Sequence, residues 1–444
     1  MMELILKLRA AFPEVIAILP YVCYGFLALV FLAGIVRLML LARSTVLLRQ
    51  HVRSLRSVDY RRFQDSEHVM PVSLILPATN EKESFIEQVE NLLSLEFQQY
   101  ELIIVANSAN TVPWTALKDR YRLLPFRQPF KKTVKGAAIE TVYRSASDVR
   151  LIVLDSRETN RALALNAGVN VSSYPIIAPV YPGLRLTKDA LLKIVYAFVS
   201  DPACVFIGSF ARVGAVSSGE ENKRLPLLTK QQAIERLRVM YTNRAGYAST
   251  GLYLSQSITL CAFLKSAVLE TGGFSAAARA EGADLLLRMH ARLKKEKRDY
   301  CARLLPDAIC MQLPQTRMRH VLKTVREGQR DARDTIRRNR TVARALRGVI
   351  GVRFAEKTWP LVEFLGILAV ILSALLGAVS PSFAVLYLLL GALLGGLQTA
   401  LAVLLEEYAF ARQTDTGALL GSYMLALVDS FNYRIRTTLA RIFS

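Results

Sequence analysis

The sequence predicts an α/β domain with a largely parallel sheet, joined to transmembrane helices and to amphipathic helices lying at a membrane interface. Three observations lead there. Between positions 72 and 198, short apolar runs alternate with segments of helical periodicity, the pattern of strand–helix–strand units. Three longer stretches, 15–36, 364–379 and 383–405, carry no charged residue and approach the roughly 20 helical residues that cross a bilayer. Between positions 317 and 353 the chain is strongly basic, with Val321, Val325, Ile336 and Leu346 among apolar residues at helical spacings, as in a helix lying among lipid headgroups.

The first apolar stretch is expected to be an uncleaved span. It exceeds the h-region of a signal peptide and continues through Leu38, Met39, Leu40 and Leu41 without a small-residue cleavage site. The second and third stretches are split by Ser380, Pro381 and Ser382, a turn the open bilayer core would not tolerate, so they form a helical hairpin. Its first arm is short unless it extends across Glu363, which leaves a buried or re-entrant hairpin as the alternative.

Basic residues flank these stretches on the side of the middle segment, from Arg37 to Arg62 after the first and from Arg330 to Lys357 before the hairpin. Because Lys and Arg are retained in the cytoplasm, the expected arrangement is multi-pass in an inner (plasma) membrane, with the main domain cytoplasmic. The segments are then a short extracytoplasmic N-terminus (1–14), a transmembrane helix (15–41), a cytosolic α/β domain (42–316), basic interfacial helices (317–358), a transmembrane hairpin (359–406) and a C-terminal interfacial amphipathic segment (407–444).

The net charge of +21 raises nucleic-acid binding as a function class. The cations cluster beside the spans and form no recognition module, so anionic membrane lipids are the expected partner and nucleic acid is not. Five cysteines, odd in number and without metal-type spacing, are expected to be reduced and mostly buried, and four scattered histidines support neither a zinc site nor a Ser/His triad.

Within the middle segment, strands are expected at 72–76, 100–105, 149–154 and 176–180, with helices at 81–95, 161–169, 188–198 and 283–293. Ligands of such a sheet bind beyond the carboxyl ends of its strands.

Several segments in this order, Val72–Glu81, Ala162–Gly168, Thr271–Phe274, Leu305–Ala308, Leu313–Thr316 and Gln329–Arg333, resemble the membrane-embedded family 2 glycosyltransferases that make cell-surface polysaccharides. Val72-Ser73-Leu74-Ile75-Leu76-Pro77-Ala78-Thr79-Asn80-Glu81 resembles the family's first strand and PxxNE loop. Ala162-Leu163-Ala164-Leu165-Asn166-Ala167-Gly168 resembles its ALNxG helix, and Thr271-Gly272-Gly273-Phe274 its GGF turn. Leu305-Pro306-Asp307-Ala308, Leu313-Pro314-Gln315-Thr316 and Gln329-Arg330-Asp331-Ala332-Arg333 are similar to its PdA, vPxT and QRxRW elements. Each alone occurs in many folds; their order, with one span before and two after, carries the resemblance. It implies a GT-A, Rossmann-like fold that binds a nucleotide sugar. It also implies nucleotide-binding positions at Pro77, Thr79, Asn80, Glu81, Asn107 and Arg161, and an acceptor-side surface at Gln329, Arg330 and Arg333.

The resemblance fails where the chemistry needs charge. A departing nucleoside diphosphate is neutralised by a divalent cation on carboxylates, and the acceptor hydroxyl loses its proton to a base. Where the family's Asp-x-Asp pair would fall stand Tyr181 and Gly183, a degenerate metal site, and no Asp or Glu occurs between Asn166 and Lys188. The family's acidic pair after the second strand is Ala106-Asn107, and its catalytic aspartate after the GGF turn is Gly282, within Glu281-Gly282-Ala283-Asp284-Leu285. The QRxRW tryptophan is also missing.

The expected protein is therefore an inactive family 2-like transferase with no cofactor, acting as partner or scaffold to a second polysaccharide-synthesis protein such as an active glycosyltransferase. The alternative is a divergent active enzyme using Glu281, Asp284 or Asp155, either metal-independent with Arg161 in place of the cation or with Mg or Mn, and a UDP-sugar.

Overall fold

The structure is a computed structural model that describes residues 13–56, 58, 60–67, 69–78, 82–109, 111–127, 129–214, 226–248, 260–345, 347–410, 421, 424–425 and 433–443. The chain opens with helices α1 (Pro13–Arg56) and α2 (Tyr60–Gln64). Strand β1 (Val72–Pro77), helix α3 (Lys82–Leu93), strand β2 (Tyr100–Ala106) and helix α4 (Thr111–Tyr121) follow. Strands β3 (Leu123–Pro125), β4 (Thr141–Ser145) and β5 (Leu151–Asp155) lead to helix α5 (Arg161–Val171). Next come β6 (Ile176–Pro179), β7 (Leu184–Leu186), α6 (Ala190–Val199) and β8 (Cys204–Val213). Helix α7 (Leu227–Val239), a π-helical turn (Met240–Arg244) and α8 (Ala245–Ala248) precede β9 (Leu260–Leu264), α9 (Lys265–Glu270), α10 (Glu281–Lys295) and β10 (Cys301–Gln312). Helices α11 (Met318–Arg338), α12 (Arg340–Ala345), α13 (Arg347–Leu375), α14 (Pro381–Phe410) and α15 (Tyr433–Ile442) complete the description.

The strands form one sheet in the order β3-β4-β5-β2-β1-β6-β9-β8-β10-β7. The block β5-β2-β1-β6 is parallel, and β9 pairs antiparallel with both β6 and β8. Both faces of the block are covered: Leu74 and Leu76 of β1 enter one core cluster and Ile75 the other. Side chains alternate across a strand, and burial on both sides requires the continuous apolar runs seen in the sequence. The fold class is the predicted one.

Some element ends differ from expectation for local reasons. Strand β5 starts at Leu151, because Asp148 accepts a hydrogen bond from its neighbour's backbone, Arg150 N at 2.9 Å, and pairs with the Arg150 side chain at 2.7 Å, leaving Val149 exposed in the turn. Helix α6 starts at Ala190, after Asp189 has joined Thr187 at 2.6 Å. Residues 1–12 and 252–259, and most of the C-terminal segment between 411 and 432, lie outside the described residues.

Among the described residues, three helices are long and apolar enough to cross a membrane, with qualifying stretches Ile16–Ser54, Thr358–Leu375 and Pro381–Phe410. The first helix runs on to Arg56, and the second begins at Arg347, so the end of the basic segment is the foot of an apolar helix. The hairpin turn contains Gly377 at φ 65, and Pro381 opens α14, where a missing N–H costs nothing. Small residues set the spacing of this bundle: a Cβ on Gly366 would lie 3.2 Å from Phe26 Cβ and closer still to the Tyr387 hydroxyl. Glu363 is accommodated because Arg37 of α1 and Arg434 of α15 reach its two oxygens at 2.5 and 3.0 Å. Glu406 of α14 is met by Arg212 of β8 and Tyr241 of the π-helical turn, tying the bundle to the sheet.

Candidate functional site

The carboxyl rim of the sheet is formed by the ends of β1, β2, β5 and β6. Pro77 is buried at the end of β1; Thr79, Asn80 and Glu81 lie outside the described residues. At the end of β2, Asn107 Oδ1 accepts from Ala109 N at 2.9 Å, closing a local turn, while Asp155 Oδ1 accepts from Ser108 N at 2.9 Å. Asp155 is thus committed to holding the β2 loop against β5.

Two motif segments interlock behind this rim. The Asn166 side chain donates to Lys135 O (2.7 Å) and Phe274 O (2.9 Å) and accepts from Phe274 N (2.8 Å). It thereby clamps the turn in which Gly272 and Gly273 take φ 87 and 76, a region that favours glycine. Gly168 lets α5 press on β1: a Cβ there would fall 2.4 Å from Ile75 Cγ2. Gly168→Ala is expected to cost about 1–2 kcal/mol, since a side-chain methyl can yield part of the distance. Thermal unfolding of the purified variant checks this, and an unchanged midpoint would contradict the close approach.

The segment after β6 is pinned by Gln88 of α3, which donates to Tyr181 O and Leu184 O, both at 2.8 Å, and accepts from Gly183 N at 3.3 Å. Gly183 sits at φ 75. The ring of Tyr181 lies under the Arg161 guanidinium, 5.1 Å from centroid to Cζ. Arg161 in turn makes a bidentate pair with buried Glu281, Nε to Oε1 at 2.7 Å and Nη2 to Oε2 at 2.8 Å. Burial pushes the Tyr181 hydroxyl well above its ordinary pKa, with Cys261 and Glu281 adding to the shift, so it stands as a neutral phenol. A Cβ on Gly282 would lie 3.5 Å from that hydroxyl and 3.2 Å from Cys261 Sγ. Tyr181 and Gly282, at the two positions where the resemblance expects different acids, are therefore close neighbours.

Asp284 faces another way. Its carboxylate, 3 % exposed, accepts from Arg288 Nε at 2.7 Å and from Asn339 Nδ2 at 2.8 Å. Arg288 continues to Thr271 O (3.0 Å) and Gly273 O (2.7 Å). Asp284 thus joins α10, the glycine turn and the end of α11. On α11, Gln329 reaches the cavity at the rim, while Arg330 and Arg333 are exposed on its outer side. Arg279 holds the same helix through Asp331 at 3.0 Å.

A cavity of about 700 Å³ opens at this rim, bringing together Arg161, Tyr181, Glu281, Gly282 and Gln329. Pro77 and Asn107 are outside its described lining. At the positions the resemblance assigns to the family's metal and base acids, the described residues do not suit a divalent cation: hard cations take several oxygen ligands, whereas Tyr181, Gly183 and Gly282 stand there and the adjacent Glu281 is bound to Arg161. Among the described residues, no three His, Cys, Asp or Glu side chains group in a way that could hold a metal ion. The sequence reading missed the contribution of α7 and α15, which supply Glu235, Arg236, Arg238 and Arg441 to the cavity. No motif marks these residues; only the fold brings them to the rim.

No protein-family model matches the chain. It is 22% identical over 245 residues to the poly-β-1,6-N-acetyl-D-glucosamine synthase of Staphylococcus aureus, covering 54% of this chain and 51% of that protein. The corresponding synthase of Staphylococcus epidermidis is 23% identical over 250 residues, 55% of this chain and 53% of that protein. The chain thus spans about half the length of the curated relatives it matches. Among solved structures, a Pyrobaculum calidifontis mannosyltransferase in complex with GDP-mannose and Mn²⁺ aligns with a TM-score of 0.54 at 14% identity, over 94% of this chain and 99% of that one. By sequence similarity and by its GT-A-like fold, the chain is a family 2 glycosyltransferase-like protein.

Proposed function

We propose that this chain is a catalytically inactive glycosyltransferase-like protein of the inner (plasma) membrane, serving as a partner or scaffold in surface polysaccharide synthesis or export. Its sheet domain faces the cytoplasm, and its partner is a second polysaccharide-synthesis protein, such as a transferase with its acids in place. The observation that carries the reading is the contact between Tyr181 and Gly282, with the neighbouring acids already bound: Glu281 to Arg161, and Asp284 to Arg288 and Asn339. Losing a general base alone costs about 10²- to 10⁴-fold in rate, and losing a metal adds several kcal/mol to the barrier. Similarity to the staphylococcal synthases supports the link to polysaccharide, and the GDP-mannose and Mn²⁺ of the archaeal mannosyltransferase name the ligands to try.

The test is an assay of the purified full chain with a panel of UDP- and GDP-sugars and Mn²⁺. No transfer above background is expected, and binding of UDP by calorimetry should not strengthen when Mn²⁺ is added. Transfer that disappears on replacing Glu281 or Asp284 would overturn the reading.

A further inference from the structure

The cavity at the rim carries an imbalance of charge. Among the described residues that line it are seven arginines and four carboxylates. Most of the cations are accounted for: Arg161 pairs with Glu281, Arg279 with Asp331, and Arg37 with Glu363, and Arg244 is also engaged. Glu235 is shared between Arg238 at 2.7 Å and Arg441 at 2.8 Å. Against the cost of burial, these two arginines hold the Glu235 carboxyl down to about 2, so its charge is already matched.

Arg236 stands apart. It donates to the neutral side-chain oxygen of Gln312 at 2.5 Å and has no ion-pair partner among the described residues. Burial pulls its pKa below the ordinary guanidinium value. Its guanidinium lines the cavity with no described carboxylate in ion-pairing reach, Glu235 acting on it only at longer range, so an anion entering the cavity meets a cation it can pair with directly. The rest of the wall indicates the anion's kind. Val36 and Leu40 of α1, Trp359 of α13 and Val321 of α11 line the same cavity, and α1 and α13 are two of the helices of membrane-spanning length. The wall is therefore both cationic and apolar.

We infer that this cavity binds the phosphate headgroup of an anionic lipid, with Arg236 as its principal ligand and the lipid chain lying against α1 and α13. Guanidinium suits phosphate through paired, charge-assisted hydrogen bonds. The inference rests on the cavity's charge and shape and holds whether or not the rim transfers sugar.

The chain has two tryptophans. In a Trp114→Phe background, which removes a ring packed on Tyr143 away from the cavity, Trp359 reports on the cavity alone. The purified full chain in neutral detergent is titrated with short-chain phosphatidic acid, short-chain phosphatidylcholine and inorganic pyrophosphate. Phosphatidic acid is expected to change Trp359 emission saturably. Arg236→Gln should weaken that binding at least about tenfold, and Arg236→Lys should restore most of it. A response to phosphatidic acid alone assigns the site to lipid, and a response to pyrophosphate as well shows that the phosphate suffices; both support the anion site. An equal response to phosphatidylcholine, an unchanged affinity in Arg236→Gln, or no saturable response to either anion overturns it. Protection of the wild type from thermal unfolding by phosphatidic acid is the second measurement; it needs no variant, and its absence also overturns the proposal.

Discussion

Replacing Gly282 with aspartate, which puts an acid where the resemblance expects the family's base, is expected to destabilise the protein by about 2–3 kcal/mol and to yield no sugar transfer. The cause is space before charge. The new Cβ would sit 3.2 Å from Cys261 Sγ and 3.5 Å from the Tyr181 hydroxyl, and overpacking a filled site costs about 1–3 kcal/mol. The carboxylate beyond it would enter beside Glu281, whose charge is already matched by Arg161. An acid in the first turn of a helix gains about 0.3–1 kcal/mol from the helix dipole, which does not offset these terms. Tyr181→Ala opens the space, so the double variant should recover part of the loss, with a coupling of about 1 kcal/mol in a double-mutant cycle. Thermal or denaturant unfolding in detergent supplies the numbers. A Gly282→Asp variant as stable as its parent would mean that the two replacements are independent.

Asp284→Ala is expected to cost about 2–3 kcal/mol: removing one partner of a buried pair costs roughly 3–5 kcal/mol, and Arg288, 27 % exposed in its side chain, recovers part of that from water. The variant frees Arg288 from its carboxylate while leaving it on Thr271 O and Gly273 O, and it takes from Asn339 one of its two acceptors, leaving Thr335 O at 3.0 Å. Asp284→Asn keeps an acceptor and should lose about half as much. A catalytic acid behaves differently: its amide variant would keep full stability and lose turnover. Equal melting of Asp284→Ala and wild type would therefore remove the structural role argued for this carboxylate.

Much of the central sheet was legible because its strands are buried on both faces. The runs at β1, β2, β5 and β6 are apolar but for Ser73, Glu101 and Asp155, and the helices between them carry ordinary periodicity. The long apolar helices were legible for the same reason, since hydrocarbon demands one composition over many residues. Strands β8 and β10 were harder to see. Arg212 and Arg303 interrupt their apolar character, and each finds its acid elsewhere in the chain, Arg212 at Glu406 and Arg303 at Asp201. The π-helical turn and α7 were invisible as site elements, because nothing in their local pattern says that they pack between the sheet and the apolar helices.

The chain's own order of residues determined which chemistry was available: no carboxylate between Asn166 and Lys188, and glycine at 282 between Glu281 and Asp284. What each remaining charge does was decided only in three dimensions. Glu281 and Asp284 are three positions apart in one helix, yet one turns to Arg161 at the rim and the other to Arg288 and Asn339 behind it. Residue type and spacing are properties of the chain, whereas the energy of a buried charge depends on its neighbours within a few ångströms, and those are set by which strands and helices the fold places side by side.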